Sequence, residues 1–353
     1  MEQKTMKACV YHGPNDIRLD DVPVPQIREN DDAIVRVTTS TICGTDIHIQ
    51  AGGLPAVKPG TIIGHEFCGE IVEIGSAVHK FKVGDRVAVS CVTQCGECFH
   101  CSRGVYSQCE SGSWIFGYLI DGCQAEYVRV PHANMGLHLI PEGLTDEDVL
   151  FVGDILSTGY FGAQNAEIEP GDIVAVIGSG PVGMCAMAAA RLWGPATIIA
   201  VDTNEFRLET AVKQGIADVA LNPRKVDAIQ EIKKITPRGR GADRTIEAVG
   251  VKDTFELAIN AVRSGGNISI IGVFEDPQTL AMNELWIKNL TIKMGLVNAD
   301  RIPELIRLIK AGKIDMRFLQ THRAPLNDIL NGYDVFGNKK DNVLKWVVTP
   351  YKR

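Results

Sequence analysis

Four cysteines lie close together in this chain, at Cys95, Cys98, Cys101 and Cys109. Their spacing, C-x2-C-x2-C-x7-C, allows four thiolates to reach one tetrahedral Zn2+ ion. Because four protein ligands fill every coordination position of such an ion, none stays open for a substrate. The cluster therefore predicts a structural zinc lobe over residues 91–112, and by itself it indicates no reaction.

A second set of metal-binding side chains is scattered along the chain, at Cys43, His65 and Asp154. Taken singly, these residues have ordinary explanations as a buried thiol, a hydrogen-bonded histidine and a helix cap. Together, a thiolate, an imidazole and a carboxylate make a three-ligand zinc site with its fourth position open, which is the catalytic pattern. Asp46 is a candidate acceptor for the other ring N–H of His65. Glu66 is a candidate alternating ligand, or a base behind the ligands.

A glycine-rich segment at residues 178–183 matches the pattern G-x-G-x-x-G, between a predicted strand and a predicted helix. The first glycine allows a tight turn, the second lets a pyrophosphate approach the backbone, and the third lets helix and strand pack closely. Phosphate oxygens then meet free N–H groups and the positive end of the helix dipole. The segment predicts a dinucleotide-binding loop made of Gly178, Gly180, Pro181, Val182 and Gly183.

Asp202 ends the next predicted strand, 24 residues after Gly178. A carboxylate at that place accepts hydrogen bonds from the hydroxyls of the adenosine ribose and repels a 2′-phosphate. The sequence therefore predicts NAD(H) rather than NADP(H) as the cofactor. Arg207 would weaken this preference if its guanidinium reached a phosphate.

The elements that must position these residues change character near residue 155. Short apolar runs broken by Gly, Pro and Asp come first, and they predict an irregular, mostly antiparallel β domain. Six apolar strands that alternate with helices follow, and they predict an α/β domain with a doubly wound parallel sheet. We expect domains at residues 1–156 and 157–297, with residues 298–353 returning to the first domain.

Length, composition and charge exclude several classes of protein. The chain has 353 residues, of which 45% are hydrophobic and 22% charged, as in ordinary globular proteins. Its net charge of −7 argues against nucleic acid or an anionic membrane as a partner. No stretch approaches the roughly 18 apolar residues of a membrane span, and the first residues lack a signal-peptide core. With four of its cysteines spaced for metal, the chain is expected in the reducing cytoplasm.

The motifs, taken in order, resemble those of the zinc-dependent medium-chain alcohol dehydrogenases over essentially the whole chain. The resemblance implies a GroES-like catalytic domain, a Rossmann domain and two zinc ions per chain, one catalytic and one structural. A carboxylate as third ligand is similar to the bacterial secondary-alcohol and formaldehyde dehydrogenases, whereas liver-type enzymes have cysteine there. The best-known secondary-alcohol enzymes prefer NADP, have glycine where Asp202 stands and lack the full cysteine lobe, so the chain departs from them.

The resemblance also implies a reaction. Zinc acts as a Lewis acid that lowers the pKa of an alcohol hydroxyl from about 16 toward about 7, and a hydride passes to the nicotinamide. By resemblance, Thr45 bonds the substrate oxygen and His48 passes the proton toward solvent; an ordinary surface histidine is the alternative for His48. Trp114, Leu296 and Val297 match positions that line a substrate pocket between the domains, although ordinary core packing is the alternative for Trp114 and Leu296.

Within this family, we expect a dehydrogenase of short-chain secondary alcohols and the corresponding ketones. The alternatives are a formaldehyde- or aldehyde-oxidising enzyme and a polyol or threonine dehydrogenase. A different class, a non-catalytic or structural relative, lacks the three-ligand set that is present here. The apolar edge strand at residues 291–294 favours pairing with another copy, and the resemblance implies a homotetramer, with a dimer as the alternative.

Overall fold

The computed structural model describes residues 4–351 of the chain. The chain divides into two compact units. The first unit runs up to Ser157 and resumes at Asn298, and the second unit is Thr158–Val297.

The elements follow one another along the chain in three stretches. Strands dominate the first stretch, which contains β1 (Thr5–Gly13), β2 (Asp16–Pro23), β3 (Ala33–Thr41), α1 (Gly44–Gln50), β4 (Phe67–Ile74), β5 (Arg86–Val89), β6 (Tyr127–Val130), α2 (Ala133–Gly136), β7 (Leu137–Leu139) and α3 (Ile155–Asn165). Strands alternate with helices in the second stretch, which contains β8 (Ile173–Ile177), α4 (Pro181–Ala190), β9 (Thr197–Val201), α5 (Glu205–Lys213), β10 (Val219–Leu221), α6 (Ala228–Ile235), β11 (Ala242–Glu247), α7 (Lys252–Ala261), β12 (Val262–Ile270), α8 (Met282–Leu285) and β13 (Thr291–Met294). The last stretch contains α9 (Ile302–Lys310), β14 (His322–Pro325), α10 (Ile329–Gly337) and β15 (Trp346–Thr349).

The first unit is built around an irregular sheet in the order β14-β15-β3-β4-β5-β7, with β6 also paired to β3. β3 is almost entirely buried, because it has sheet neighbours along both edges and core clusters over it. The register between β3 and β4 shifts in two places, which bends the strand before it ends at Thr41. β15 pairs antiparallel with β3 through Val347 and Val348, so the end of the chain is part of the first unit.

The second unit contains a six-stranded sheet in the order β10-β9-β8-β11-β12-β13, with every pair of neighbours parallel. All five residues of β8 are buried, as expected for a central strand with helices on both faces. The strand order reverses between β8 and β11, and ligands of open α/β sheets bind at the carboxyl ends of strands beside such a point. The α/β fold class predicted from the sequence is confirmed.

No helix within residues 4–351 is long and apolar enough to cross a bilayer.

Candidate active site

Cys43 is placed by the end of the central strand of the first unit. β3 stops at Thr41, and Cys43 then caps the amino end of α1. The carboxylate of Asp46, in the first turn of α1, accepts a hydrogen bond from the Cys43 backbone N–H at 2.8 Å. This contact satisfies one of the N–H groups that a helix start leaves unpaired, and it fixes the thiol against the strand end.

His65 and Asp154 meet the thiol from two other parts of the first unit. His65 comes just before β4, and Asp154 immediately precedes α3. The Oδ2 atom of Asp154 lies 3.2 Å from Nε2 of His65 and 3.5 Å from Sγ of Cys43. The three possible ligand atoms all lie within 4.8 Å of one another. The structure thus brings together the three residues that the sequence selected as one cluster, hereafter the three-residue cluster.

The second ring nitrogen of His65 faces Asp46. Nδ1 of His65 and Oδ1 of Asp46 are both buried and face each other at 3.3 Å, and within residues 4–351 neither atom has a different hydrogen-bond partner. An N–H at Nδ1 leaves Nε2 as the lone-pair nitrogen on the side of Cys43 and Asp154. A thiol, an imidazole nitrogen and a carboxylate oxygen that converge in this way fit a zinc ion with three protein ligands.

The charges around the cluster shift the pKa values of His65 and Asp154. Burial lowers the pKa of His65, but the carboxylates of Asp46 and Asp154 outweigh burial and raise it well above its usual value. Burial works against ionisation of Asp154, yet hydrogen bonding to His65 outweighs it and lowers the pKa of Asp154. In the metal-free cluster a charged carboxylate therefore faces a protonated imidazole, and a zinc ion that binds would displace the proton from Nε2.

A buried hydrogen-bond chain holds Asp46 and was not predicted. Gln124 donates from Nε2 to Oδ2 of Asp46 at 3.0 Å and accepts a hydrogen bond from the Tyr333 hydroxyl at 2.8 Å. Burial raises the pKa of Tyr333 well above its usual value, which keeps the hydroxyl protonated and able to donate. Tyr333 lies on α10, so a residue almost 300 positions away in sequence helps to orient the His65 ring.

Glu66 is held by an ion pair that was also not predicted. Its Oε2 lies 2.7 Å from Nζ of Lys345, and its Oε1 accepts a hydrogen bond from the Ile155 N–H at 3.2 Å. Both side chains are almost completely buried. Burial lowers the pKa of Lys345, but the Glu66 carboxylate outweighs it and raises that pKa, so the ammonium stays charged. One feature of the sequence could have indicated a buried lysine: Lys345 interrupts the apolar run 343–348.

Thr45, His48 and Trp114 lie around the cluster in the first unit. The hydroxyl of Thr45 is 4.0 Å from Sγ of Cys43. His48 follows three residues later on α1 and is exposed, so the two side chains lie on adjacent turns of one helix. The indole of Trp114 meets the His65 ring edge to face, with centroids 5.4 Å apart, and stacks on Tyr118.

Cys91 has a neighbour that the sequence did not suggest. It stands at the start of the range predicted for the cysteine lobe, but its sulfur lies 3.7 Å from Oδ1 of Asp154. Its side chain is buried, and its backbone N–H donates to the Gly153 carbonyl at 2.9 Å. This thiol therefore belongs to the surroundings of the three-residue cluster.

The four cysteines of the lobe converge on one another. Their sulfur atoms all lie within 4.8 Å. Backbone N–H groups of Cys95, Cys98 and Cys101 point at sulfurs of the same cluster, at 3.3 to 3.5 Å. Hydrogen bonds from the backbone N–H groups of Glu110 and Cys101 lower the pKa of Cys98 to about 6, which favours the thiolate that binds metal. The donor set fits a zinc ion closed by four sulfurs.

The second unit contains the predicted dinucleotide loop, between β8 and α4. Gly178 has φ +98°, and a Cβ added to Gly183 would come 1.8 Å from the Gly178 carbonyl oxygen. A Cβ added to Gly180 would meet only Nη1 of Arg207, at 3.6 Å, so the space over this residue is open. Pro181 and Val182 follow at the start of α4, which Gly180 caps. The loop fits a pyrophosphate group, with a guanidinium beside it.

Asp202 stands at the carboxyl end of β9, next to this loop. Its Oδ2 accepts the Ser179 N–H at 2.7 Å, and its Oδ1 accepts the Asn204 N–H at 2.8 Å. These bonds fix the carboxylate, and each oxygen keeps a lone pair for a ribose hydroxyl. Leu296 and Val297 lie just after β13 in the same unit, where Leu296 is exposed and Val297 is buried.

Comparisons with known proteins agree with this geometry. The family model of the alcohol dehydrogenase GroES-like domain matches residues 29–142, and that of the zinc-binding dehydrogenases matches residues 181–311. An alcohol dehydrogenase of Cupriavidus necator is 43% identical over 98% of this chain and 99% of its own length.

Two solved structures are similar over nearly their whole length. The apo form of zinc-dependent alcohol dehydrogenase 2 from Streptococcus pneumonia is 42% identical, with a TM-score of 0.93 and 99% of each chain covered. An alcohol dehydrogenase from Thermus sp. ATN1 is 35% identical, with a TM-score of 0.92, covering 98% of this chain and 99% of its own.

Proposed function

The chain belongs to the zinc-dependent medium-chain alcohol dehydrogenases, and from that premise we propose that it transfers a hydride between NAD(H) and short-chain secondary alcohols or their ketones. Membership makes it an oxidoreductase that uses zinc and a nicotinamide cofactor on small alcohols. The observation that carries the proposal is the three-residue cluster, in which three possible ligand atoms from the described residues lie within 4.8 Å of one another.

A zinc ion held by Cys43, His65 and Asp154 would supply Lewis acidity toward an alcohol or carbonyl oxygen. The chain's own residues supply position and proton transfer. By the family resemblance, Thr45, half-buried beside Cys43, would hydrogen-bond the substrate oxygen, and His48, one turn further along α1 and exposed, would pass the proton toward solvent. Asp46 holds the His65 ring, and Glu66 is held by Lys345. No residue forms a covalent bond to the substrate.

The preference for NAD(H) rests on Asp202. Its oxygens are fixed beside the loop by two backbone N–H groups, where they would accept the ribose hydroxyls and repel a 2′-phosphate. Arg207 lies nearer the glycine loop, where its charge suits the pyrophosphate shared by both cofactors. Replacing Asp202 by glycine should raise kcat/KM for NADP+ relative to NAD+ by at least about tenfold.

Substrate size is proposed from Trp114. Its indole stands against the His65 ring and stacks on Tyr118, which gives the first unit an apolar wall beside the cluster. A wall of this kind suits short apolar alcohols better than polyols or threonine. Aldehydes or formaldehyde remain the second candidate, because the same ligands serve them equally well. Leu296 and Val297 are assigned to substrate binding on the family resemblance alone.

A homotetramer is proposed from the surface of the second unit, with a dimer as the alternative. β13 is the edge of the six-stranded sheet, and Met294 on it is 68% exposed. Large apolar side chains nearby are exposed to a similar degree: Val273, Met282, Trp286 and Ile287. A sheet edge beside such a patch favours pairing with a second copy.

The proposal is tested by an activity panel with NAD+ and with NADP+, on 2-propanol, 2-butanol, 2,3-butanediol, ethanol, formaldehyde, sorbitol and threonine. We expect the largest kcat/KM with NAD+ and a short secondary alcohol, and two zinc ions per chain by metal analysis. A larger kcat/KM on formaldehyde, sorbitol or threonine would replace the substrate assignment. Turnover on none of them, with no zinc at the three-residue cluster, would overturn the proposed function.

A further inference from the structure

The two oxygens of the Asp154 carboxylate have different neighbours. Oδ2 faces the three-residue cluster, at 3.2 Å from Nε2 of His65 and 3.5 Å from Sγ of Cys43. Oδ1 has Sγ of Cys91 as a neighbour, at 3.7 Å. A carboxylate that offers both oxygens to one ion must turn both toward it, and here one of them is turned toward a thiol.

The segment that carries Cys91 is fixed against the segment that carries Asp154. The Cys91 N–H donates to the Gly153 carbonyl at 2.9 Å. A Cβ added to Gly153 would come 2.2 Å from the carbonyl oxygen of Val89, at the end of β5. The two segments therefore pack backbone against backbone, and the Cys91 side chain, 1% exposed, has little freedom to leave the carboxylate.

We propose that Cys91 is a positioning residue for the metal ligand Asp154. Its S–H donates to Oδ1 and holds the carboxylate so that Oδ2 alone points at the metal. A thiol is a weak donor, but a hydrogen bond to a charged carboxylate in a buried place is stronger than one between neutral groups. The proposal rests on the proposed function, because it takes the three-residue cluster to be a zinc site.

Groups behind metal ligands usually orient them, and their loss typically weakens metal binding by about 10- to 100-fold. Asp46 acts in this way on His65, through the 3.3 Å contact to Nδ1. Cys91 gives Asp154 the same kind of support. The remaining ligand, Cys43, is supported at its own backbone by the same Asp46 carboxylate, so each of the three ligands has a supporting group behind it.

The test compares Cys91→Ala and Cys91→Ser with Cys68→Ala, which removes a thiol of the same size from a fully buried place on β4. Zinc retention is measured against a graded chelator, with the unmodified protein as reference. Cobalt is then substituted for zinc, and its visible absorption is recorded, because that spectrum reports the ligand geometry independently of turnover.

We expect Cys91→Ala to lose one of its two zinc ions at about 10- to 100-fold lower chelator concentration and to shift the cobalt spectrum. Cys91→Ser, which keeps a donor, should recover part of the loss, and Cys68→Ala should match the unmodified protein. Unchanged retention and spectrum in Cys91→Ala would overturn the proposal. A fall in sulfur-to-cobalt absorption per bound cobalt in that variant would overturn it too, because Cys91 would then be a ligand itself.

The metal content of the unmodified protein separates this proposal from the proposed function. If the unmodified chain binds one zinc only, in the cysteine lobe, the catalytic site itself fails. If it binds two and Cys91→Ala binds both as tightly as the unmodified protein, only the role of Cys91 fails.

Discussion

The cysteine lobe and the three-residue cluster differ most in how far apart their residues lie along the chain. All four sulfurs of the lobe come from residues 95–109, and their hydrogen bonds from Cys95, Cys98 and Cys101 stay inside that segment. The three-residue cluster joins positions 43, 65 and 154, and its supporting groups stand at 91, 124, 333 and 345. One site is local, and the other depends on the whole first unit.

This difference explains why only one of the two sites suits catalysis. A local loop can supply four ligands, which fill every coordination position of the ion, and the bound ion stabilises the loop. An open site has to keep three ligands fixed while the fourth position stays free, and it needs partners behind each ligand to do so. The folded first unit provides those partners as Asp46, Cys91 and the Glu66–Lys345 pair.

The largest expected effect comes from removing a ligand of the open site. Cys43→Ala should lower kcat by at least about a thousandfold, because zinc Lewis acidity is worth several kcal/mol in the transition state. The chain should stay folded, because the change deletes one sulfur beside a strand end. Steady-state kinetics, zinc analysis and thermal unfolding measure the three quantities.

Cys68→Ala is the matched control, since it removes a buried thiol on β4 that is not one of the three ligands. It should keep nearly full activity and both zinc ions. If Cys43→Ala kept more than a tenth of the turnover of this control, the three-residue cluster would lose its catalytic assignment.

The second prediction concerns the long-range support of the open site. Lys345→Met leaves the Glu66 carboxylate buried without its partner, and the free energy of unfolding should fall by about 3–5 kcal/mol. Adding Glu66→Gln should restore most of the loss, because the buried charge is then gone. Urea unfolding of the single and double variants measures both effects.

An exposed ion pair of the same unit provides the control. Lys340 and Asp334 are 2.6 Å apart, with side chains about half exposed. Lys340→Met should cost far less stability than Lys345→Met, because solvent screens exposed pairs. Equal losses of unfolding free energy in the two lysine variants would show that burial does not make the Glu66–Lys345 pair more important for stability than an exposed pair.

The third prediction concerns the lobe. Cys98→Ser should lose one zinc ion. Free zinc at a hundred times the dissociation constant of the lobe stabilises the unmodified protein by about 2.7 kcal/mol, and the variant should not gain this stabilisation. Turnover per folded molecule should stay within about twofold. Urea unfolding with and without added zinc, together with kinetics on the folded fraction, tests this. A loss of turnover as large as that of Cys43→Ala would remove the division of labour between the two sites.

The same contrast between local and long-range sites decides what the sequence can predict. The lobe, the glycine loop and the six parallel strands each follow from residues close together, and periodicity or spacing is enough to find them. The six predicted strands are present as β8 to β13 of one parallel sheet. The three ligands at 43, 65 and 154 could be grouped only because their types complement one another.

The elements and contacts that could not be predicted are partly exposed strands and contacts between residues far apart in sequence. The hairpin of β1 and β2 was missed because β2 is only partly buried and rich in charge. β14 and β15 were missed because His322–Pro325 carries no alternation, and the role of Lys345 appears only when β15 pairs with β3. Gln124, Tyr333 and Cys91 have no spacing relation to the residues they support, so no local pattern could identify them.

The smallest expected effect concerns proton transfer at the open site. His48→Gln should lower kcat about tenfold near neutral pH, because a relay histidine carries a proton that exposed water can still carry more slowly. Zinc content should not change, since His48 is three residues beyond Thr45 on α1 and is not among the three ligands. The difference in kcat between His48→Gln and the unmodified protein should shrink as pH rises, because hydroxide then removes the proton directly.

His100, which stands between two ligands of the cysteine lobe, offers the matched control. His100→Gln places the same substitution at the closed site, and it should leave the pH profile of kcat unchanged, because the lobe takes no part in proton transfer. His48 lies three residues after Thr45, the hydroxyl neighbour of Cys43, and His100 directly precedes the proposed zinc ligand Cys101. The two variants therefore change the same residue type near each of the two sites. If His48→Gln gave the same profile as His100→Gln, the proton would leave by another route, and α1 would serve only to hold Cys43 and Asp46.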